Sequence, residues 1–556
     1  MKKLSLTILA ALLAYTAAFA QNHLSERVYV SSDRDVYLAG DDFFFSAFCL
    51  DMTSGGLSGA SAVAYIEICS PEGPVQTAKV ALKSGRGSGL VSLKNTIPTG
   101  NYRVVAYTAQ CFNEQGYDFE EGSKVIAIIN PFTTERSSSG ADIIDDGAYS
   151  ELKAEGLPSA GNVSAAFDGV LTVKNSSGKP VTLSVAISHD DGIFHQASAN
   201  PVTFRKEATK GTSFTDSREL EYEGEIVRAR VRGINPDSFD SVAGAETFFS
   251  VPGRISDVYS SILDNDGLTS FYTENVYGDV EAFLEVYAPG SGCHLDVESP
   301  FKSVRASGLE PLPLAKCIED RVRERSVAMQ VHETSGADSL YCSLPVLSKS
   351  VFDGDGIEYV LDDYTRFPLM EELFIEFIKE ARVKKTDDGR VIVVYLQDTY
   401  KPATFVQQQP ALALLDGVPV LDQEKLFSYD PLLVERIVVY PYTYNLGHWS
   451  FSGIVNFITY KRNMPSFDFD ENARVVDFQG VSFPMMSNLP SGNADFPDMR
   501  ETVLWHPQVE IGPGESRLLD YVLPSYGGRF NVVIEGFDSE GEPQYFKSVI
   551  RGEGNQ

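Results

Sequence analysis

Motifs for metal binding and nucleophilic catalysis are missing from this 556-residue chain. Its 7 histidines are scattered, and none of them forms H-x-x-x-H or H-E-x-x-H. The 6 cysteines have spacings that match no metal site. No G-x-S-x-G occurs, so there is no nucleophile elbow. We therefore expect no catalytic, cofactor-binding or metal-binding residues, and the chain is predicted not to be an enzyme.

Positive charge is also in short supply. Lysine and arginine number 46 against 77 aspartates and glutamates, which gives a formal net charge of −31. A chain this acidic repels phosphate backbones, so nucleic acid is not expected as a partner. Beyond the first twenty residues, no window has the roughly 20 apolar residues that a membrane helix needs, so no transmembrane segment is predicted.

The first twenty residues have the pattern of a secretory signal peptide. Lys2 and Lys3 precede the mostly apolar run Leu4–Tyr15, and Ala18–Ala20 is a small-x-small cleavage site that would leave Gln21 first. No cysteine stands where a lipoprotein signal needs one. We expect an exported protein of the periplasm or the outer membrane, with the cell surface or secretion as the alternative.

Short alternating apolar and polar segments with many turn signals predict a mainly β, multidomain chain. Its 45 glycines and 28 prolines fit such a chain better than one of long helices. The predicted divisions are a signal peptide at 1–20, β-sandwiches at 21–130 and 131–215, a further β module at 216–300, a linker with a short helix at 301–349, a small α/β domain at 350–465 and a C-terminal β-sandwich at 466–556.

The first predicted sandwich resembles the second domain of the macroglobulin family. It has D-R-D-V-Y-x-x-G-D near its start and I-P-x-G-x-Y-R-V-x-A-Y-T near its end. The resemblance implies a β-sandwich at this position. The matching residues are Asp33, Arg34, Asp35, Tyr37, Gly40, Asp41, Gly100, Tyr102, Arg103 and Tyr107.

The macroglobulin resemblance raises the question of an internal thioester, which joins a cysteine to a glutamine three positions on. Here Cys111 is followed by Gln115 four positions on, so the spacing of that ring is wrong. A buried or half-buried thiol in a loop explains Cys111 better.

The β module at 216–300 resembles the transthyretin-like regulatory module found beside carboxypeptidases. The marks are Gly224, the predicted strand Ile226–Val231 and the hairpin turn Asp264–Gly267. Ala229 stands where that module usually has glycine.

Residues 350–465 resemble the plug domain of TonB-dependent outer-membrane receptors. The resemblance rests on L-L-D-G-V-P-V, V-E-R-I-V-V-Y and F-S-G-I-V-N-F-I-T in that order. The chain departs from the plug pattern at 444–449. The matching residues are Leu415, Asp416, Gly417, Val418, Pro419, Asp430, Pro431, Val434, Glu435, Arg436, Ile437, Val439, Tyr440, Gly453, Ile454, Val455 and Ile458.

A receptor plug lies inside a barrel of about 22 strands, but the residues after 465 predict a sandwich instead. We therefore expect the plug-like domain to fold by itself or to dock to another chain. The apolar runs Ala411–Leu415 and Ile437–Tyr440 are typical of strands covered on both faces. A helix at Leu369–Ile378 could cover one face of these strands.

Aromatic residues are the candidates for partner binding. Tyr440, Tyr442, Tyr444 and Trp449 cluster where the plug pattern is lost, and Phe44 lies on the opposite face of its strand from Phe43 and Phe45. Two interpretations stay open for each set. The aromatic rings could meet a partner, or they could serve a domain contact or a solvent-facing strand row.

These patterns predict a non-enzymatic binding or scaffold protein of the cell envelope. Its plug-like domain would dock to an outer-membrane complex or a TonB-dependent receptor. The alternative is a secreted or surface-exposed protein that binds host protein or glycan, as adhesins do.

Overall fold

The computed structural model describes residues 24–552 apart from 153–157, 209–210, 212, 216, 235, 254–256, 275, 335–355, 388, 398–409, 447–448, 486–497 and 525. The predicted signal peptide, Cys342 and part of the 444–449 departure therefore lie outside the described residues. The chain forms two compact units. Unit 1 comprises Met1–Tyr222, Phe301–Ser343 and Ser482–Gln556, and unit 2 comprises Glu223–Pro300 and Leu344–Val481.

Unit 1 begins with a β-sandwich, here the first sandwich, whose sheets have the orders β1-β3-β6 and β2-β8-β7-β4-β5. Alternation along β3 turns Phe43, Phe45 and Ala47 into the core between the sheets. The strands are β1 Glu26–Ser32, β2 Val36–Leu38, β3 Asp42–Asp51, β4 Val63–Ser70, β5 Gly73–Ala81, β6 Arg86–Ser92, β7 Gly100–Tyr107 and β8 Lys124–Ile129.

A second sandwich in unit 1 is built from two distant parts of the chain, so we call it the composite sandwich. Its sheets have the orders β10-β11-β29 and β28-β12-β30-β31. The strands are β10 Val163–Phe167, β11 Leu171–Asn175, β12 Val181–His189, β28 Thr502–Ile511, β29 Ser516–Leu519, β30 Gly528–Asp538 and β31 Pro543–Gly552.

The composite sandwich corrects the prediction of separate sandwiches at 131–215 and 466–556. The central strand β12 is buried on both faces. It pairs with β28, which it meets at Ile511, and with β30, which it meets at Asp538. In the described part of residues 131–215, no other strand pairs with β12. The two predicted sandwiches are therefore two parts of one.

In the part of unit 1 that the structure describes, three α-helices and a parallel strand pair accompany the sandwiches. The pair joins β9 Ala141–Ile143 to β19 Leu312–Leu314. Within the described residues, no helix combines the length and apolarity needed to cross a membrane. The helices are α1 Asp146–Glu151, α2 Pro201–Glu207 and α3 Glu319–Thr334, of which α3 is the helix expected in the 301–349 linker.

Unit 2 contains a third sandwich, with sheet orders β16-β13-β18 and β15-β14-β17-β27. Its edge strand β27 comes from the region predicted as the C-terminal sandwich, because Phe478 fills the core beside Phe249 and Leu284. The strands are β13 Ile226–Arg232, β14 Glu246–Val251, β15 Asp257–Ile262, β16 Leu268–Tyr272, β17 Asp279–Val286, β18 His294–Val297 and β27 Ala473–Gln479.

The rest of unit 2 is a five-stranded domain with the mixed order β20-β25-β26-β23-β24 and a hairpin of β21 and β22. Helices α4 Met370–Glu376 and α5 Glu424–Phe427 contribute to the core on one face of the sheet. The strands are β20 Ile357–Val360, β21 Ala381–Thr386, β22 Gly389–Val394, β23 Leu412–Leu415, β24 Val418–Pro419, β25 Val434–Leu446 and β26 Trp449–Thr459. Together the sheets confirm the mainly β, multidomain prediction.

Asp416 fixes the turn between β23 and β24. Its backbone has φ +49°, a left-handed conformation that aspartate tolerates better than most residues. The buried carboxylate accepts hydrogen bonds from Thr459 N at 2.7 Å, Thr459 Oγ1 at 2.6 Å and Met464 N at 2.8 Å. One side chain thus ties this turn to the end of β26.

We expect Asp416→Ala to lower the free energy of unfolding of unit 2 by about 3 kcal/mol, because it leaves buried donors without an acceptor. Asp422→Ala is the matched control, since the exposed Asp422 accepts one bond, from Glu424 N at 3.1 Å. Urea unfolding of the full chain measures the free energy of unfolding of both variants, and hydrogen exchange of the β26 amides measures the local loss of stability. Equal losses in the two variants would contradict this role for Asp416.

Candidate functional site

Three of the predicted aromatic residues lie together on the hairpin of β25 and β26. Tyr440 is buried, and its ring centroid is 6.2 Å from that of Tyr444. The Trp449 ring lies 5.4 Å from Phe248 on β14 and 5.8 Å from Tyr287. This cluster therefore joins the five-stranded domain to the third sandwich.

The other two predicted residues, Tyr442 and Phe44, do not belong to this cluster. Tyr442 is half-buried. Phe44 belongs to unit 1 and is 4% exposed, because Trp505 and Ala186 of the composite sandwich cover it together with Met485. Phe44 thus occupies a contact between two sandwiches of unit 1.

An exposed patch, formed by Tyr364, Leu432 and Tyr460, lies at one edge of the five-stranded sheet. Tyr364 follows β20, Leu432 precedes β25 and Tyr460 follows β26, and the pairing of these strands places the three positions at the same edge. Their exposures are 41%, 54% and 49%. These are large values for such apolar side chains.

Arg366 holds this patch together. Its Nη2 donates to three backbone carbonyls around Leu432 at 2.9–3.3 Å, and its guanidinium lies 6.0 Å from the Tyr460 ring centroid. The Tyr460 hydroxyl donates to Asp362 at 2.6 Å. The Tyr364 ring stacks on Phe377 at 4.2 Å. The exposed rings are therefore fixed in place by the fold.

A second candidate region is the charged contact between the first and composite sandwiches. Arg325 of α3 is 5% exposed and donates to Asp41 at 3.0 Å and to Asp191 at 2.5 Å, while its Nε lies 3.8 Å from Glu501. Burial opposes the charge of Arg325, but Asp191, Glu501 and Asp41 outweigh this effect and raise its pKa. A cavity of about 80 Å³ adjoins the group.

Two histidines line the same cavity. His189 Nδ1 lies 3.4 Å from Glu501, and His195 Nε2 lies 3.5 Å from Asp35, which also pairs with Lys124 at 3.2 Å. Burial lowers the pKa of both histidines, but their carboxylate partners outweigh it and the net pKa is raised. Both histidines are therefore paired with a carboxylate of the fold.

The cysteine of the thioester comparison is buried at the edge of the first sandwich. Cys111 Sγ donates to Glu26 O at 3.5 Å, and burial raises the pKa of this thiol to about 11. The side chain of Gln115 bonds to Ser213 and not to Cys111: its Oε1 accepts from Ser213 Oγ at 3.0 Å. Over the described ranges, no three His, Cys, Asp or Glu side chains are grouped to hold a metal ion.

A buried carboxylate, Glu285, lies on β17 of the third sandwich. It is 8% exposed, and Asp470 lies close enough to repel its negative charge. Burial, and then Asp470, raise the pKa of Glu285 to about 8, although Lys425 acts in the opposite direction. Lys425 itself pairs with Asp470 at 2.7 Å. Glu285 therefore favours its protonated form in the folded protein.

Sequence reasoning missed both Arg325 and the exposed patch. Arg325 occurs within an apolar helical stripe, which begins just before α3 and is formed by Ile318, Val322 and Met329. This helical spacing was the sequence signal that could have indicated a buried cation. Tyr364, Leu432 and Tyr460 are brought together by three separate connections. No local pattern indicated that they would be exposed together.

No family model matches the sequence, and no curated protein matches it either. Among solved structures, the native Escherichia coli alpha-2-macroglobulin has a TM-score of 0.23 at 10% identity, over 96% of this chain and 40% of that one. Salmonella alpha-2-macroglobulin reacted with methylamine has a TM-score of 0.21 at 10% identity, over 95% of this chain and 40% of that one. The chain thus spans about two fifths of the length of these structures. TM-scores this low support no inference about function.

We expect Arg325→Met to destabilise unit 1 by about 3 kcal/mol or more, because it removes the buried cation that Asp41, Asp191 and Glu501 share. Arg323→Met is the matched control on the same helix, since Arg323 is exposed and pairs with Glu319 and Asp320. Its expected cost is about 0.5 kcal/mol. Denaturant unfolding of the full chain measures both, and similar costs would refute a special role for Arg325.

Glu285→Gln is expected to stabilise unit 2 at alkaline pH. Because the folded-state pKa of Glu285 is raised from 4.5 to about 8, its ionisation lowers the free energy of unfolding. This loss of stability is absent below pH 4.5 and grows as the pH rises towards 8. The gain from Gln should be on the order of 5 kcal/mol at pH 9 and vanish near pH 4. Urea unfolding at several pH values tests this, with the exposed Glu281→Gln on the same strand as control. A gain independent of pH would count against the assignment.

Proposed function

We propose that the chain is a non-enzymatic binding and scaffold protein of the cell envelope. The five-stranded domain, which has the plug-like sequence, docks onto an outer-membrane protein complex or a TonB-dependent receptor. The sandwiches act as rigid spacers that present this domain. The observation that carries the proposal is that the five-stranded domain fills its own core and still leaves apolar rings exposed at one edge.

The core of the five-stranded domain supports its use as a docking module. Val439, Val455 and Phe457 of the sheet are buried against Leu373 of α4 and Leu426 of α5. Burying such side chains stabilises a fold by about 1.5–3 kcal/mol each. The domain therefore has an apolar core built by its own strands and helices, to which the third sandwich adds Phe283.

The opposite face of the sheet is also used within the chain. Leu412, Leu414 and Ile454 are buried in a cluster with Phe248 and Val258 of the third sandwich. With both faces covered, the loops at the sheet edge are left for recognition. The exposed patch lies among these loops and supports docking by this domain.

Cross-linking in the intact cells that make this protein tests the proposal. The expected result is a reproducible membrane-protein partner in the detergent-extracted envelope, with its cross-links to this chain falling in 356–464. A positive result needs the same partner from two cross-linkers of different length.

Recovery of the chain only from the soluble fraction or the medium, without a membrane-protein partner, would contradict the proposal. That outcome would favour the alternative of a secreted or surface-exposed binder of host protein or glycan. Protease accessibility in intact cells distinguishes a surface-exposed chain from a periplasmic one.

A further inference from the structure

We propose that the exposed patch of Tyr364, Leu432 and Tyr460 is the docking face, and that it receives a protein segment with an apolar side chain flanked by lysine or arginine. This inference rests on the proposed function and deepens it. It assigns a place in the five-stranded domain and a chemistry to the partner.

The chemistry of the patch suits an apolar side chain. Two tyrosines and a leucine provide the apolar surface, and tyrosine combines a large contact area with few rotatable bonds. Arg366 restrains the connection around Leu432 through three backbone carbonyls. Because these groups are already ordered, binding would cost little conformational entropy.

The rim of the patch is acidic. Asp362, Asp363 and Asp430 are exposed beside the three apolar residues. Asp362 accepts from the Tyr460 hydroxyl, and Asp430 accepts from Leu432 N at 2.9 Å, so both carboxylates are fixed at the rim.

The cations nearby do not balance these carboxylates. Arg366 is held by carbonyls, with its Nη1 3.6 Å from Asp362, and Arg462 pairs with Glu435 at 2.6 Å. Lys461 is exposed beside Tyr460. The carbonyls that bind Arg366 are neutral, so its positive charge remains and is shared with Asp362. Three exposed carboxylates against the two cations Arg366 and Lys461 leave the rim with an excess of one negative charge, which complements a basic flanking sequence.

The acidic rim also favours protein over membrane as the occupant. A lipid surface with anionic headgroups would repel the three rim carboxylates and a chain whose net charge is −31. A protein segment can place its basic residues opposite the rim and its apolar side chain over the tyrosines. Complementary charges of this kind increase the association rate and select among partners.

The test places a photo-reactive benzoylphenylalanine at Leu432 in the full chain, in the cells that make it. Val475 on β27 of the same unit is the matched control, because it is 53% exposed against 54% for Leu432. We expect an adduct with an envelope protein at 432 and not at 475. The cross-linked partner peptide, sequenced by mass spectrometry, should carry lysine or arginine within a few residues of an apolar attachment point.

Charge reversal provides the second arm. Asp363→Lys should lower the yield of the adduct at 432 roughly fivefold at low ionic strength, with a smaller effect in high salt. Glu281→Lys reverses another exposed charge in unit 2, on β17 of the third sandwich, and should leave the yield unchanged. Equal effects of the two reversals would overturn the role of the acidic rim.

The remaining outcomes separate this inference from the proposed function. Envelope-protein adducts at other exposed positions in 356–464, but not at 432, would overturn the patch and keep the docking proposal. A lipid adduct at 432 would overturn the protein occupant. An absence of envelope-protein adducts at 432 and at the other exposed positions in 356–464 would overturn both.

Discussion

A buried cation must be matched by carboxylates, and in unit 1 this requirement joins parts of the chain that are far apart in sequence. Arg325 comes from α3, Asp41 from the first sandwich, and Asp191 and Glu501 from the composite sandwich. Since little water reaches the group, an arrangement that separated these residues would leave charges uncompensated. The ion pairs therefore favour one placement of the helix between the two sandwiches. The same placement keeps Phe44 covered by Trp505.

Local pattern was enough to predict the class of structure, and it failed where the partner of a segment is remote. Alternation around Phe43 and Phe45 predicted a sandwich strand, and the apolar run Ala411–Leu415 predicted a covered strand, which the structure has at Leu412–Leu415. The turn at Asp416 was not predicted from the sequence. The doubly buried strand β12 showed the same apolar character, but nothing local indicated that its neighbours begin near residue 502. The exposure of Leu432 could not be predicted from its sequence neighbours either, because it depends on the three connections that meet at one edge of the five-stranded sheet.

The five-stranded domain shows how an aromatic cluster and a recognition surface can be confused in sequence. Trp449 lies against Phe248 and Tyr287 and so closes a contact inside unit 2. Tyr364 and Tyr460, whose sequence surroundings are less distinctive, remain open to solvent. Rings that stabilise a domain contact need apolar neighbours on all sides, whereas rings that recognise a partner need a rigid support and one open face. The contacts of Arg366 and Phe377 supply that support.

The composite sandwich sets the order in which the chain can fold. Its strand β12 is complete more than 300 residues before the strands that flank it, β28 and β30, have been synthesised. Until then its apolar faces lack their native cover, and the entropy of closing so long a loop delays their pairing. Unit 2 has all its strands by Val481 and is free to form first. The half-built sandwich is thus the segment that most needs a chaperone during synthesis, and aggregation of incomplete chains should begin at β12.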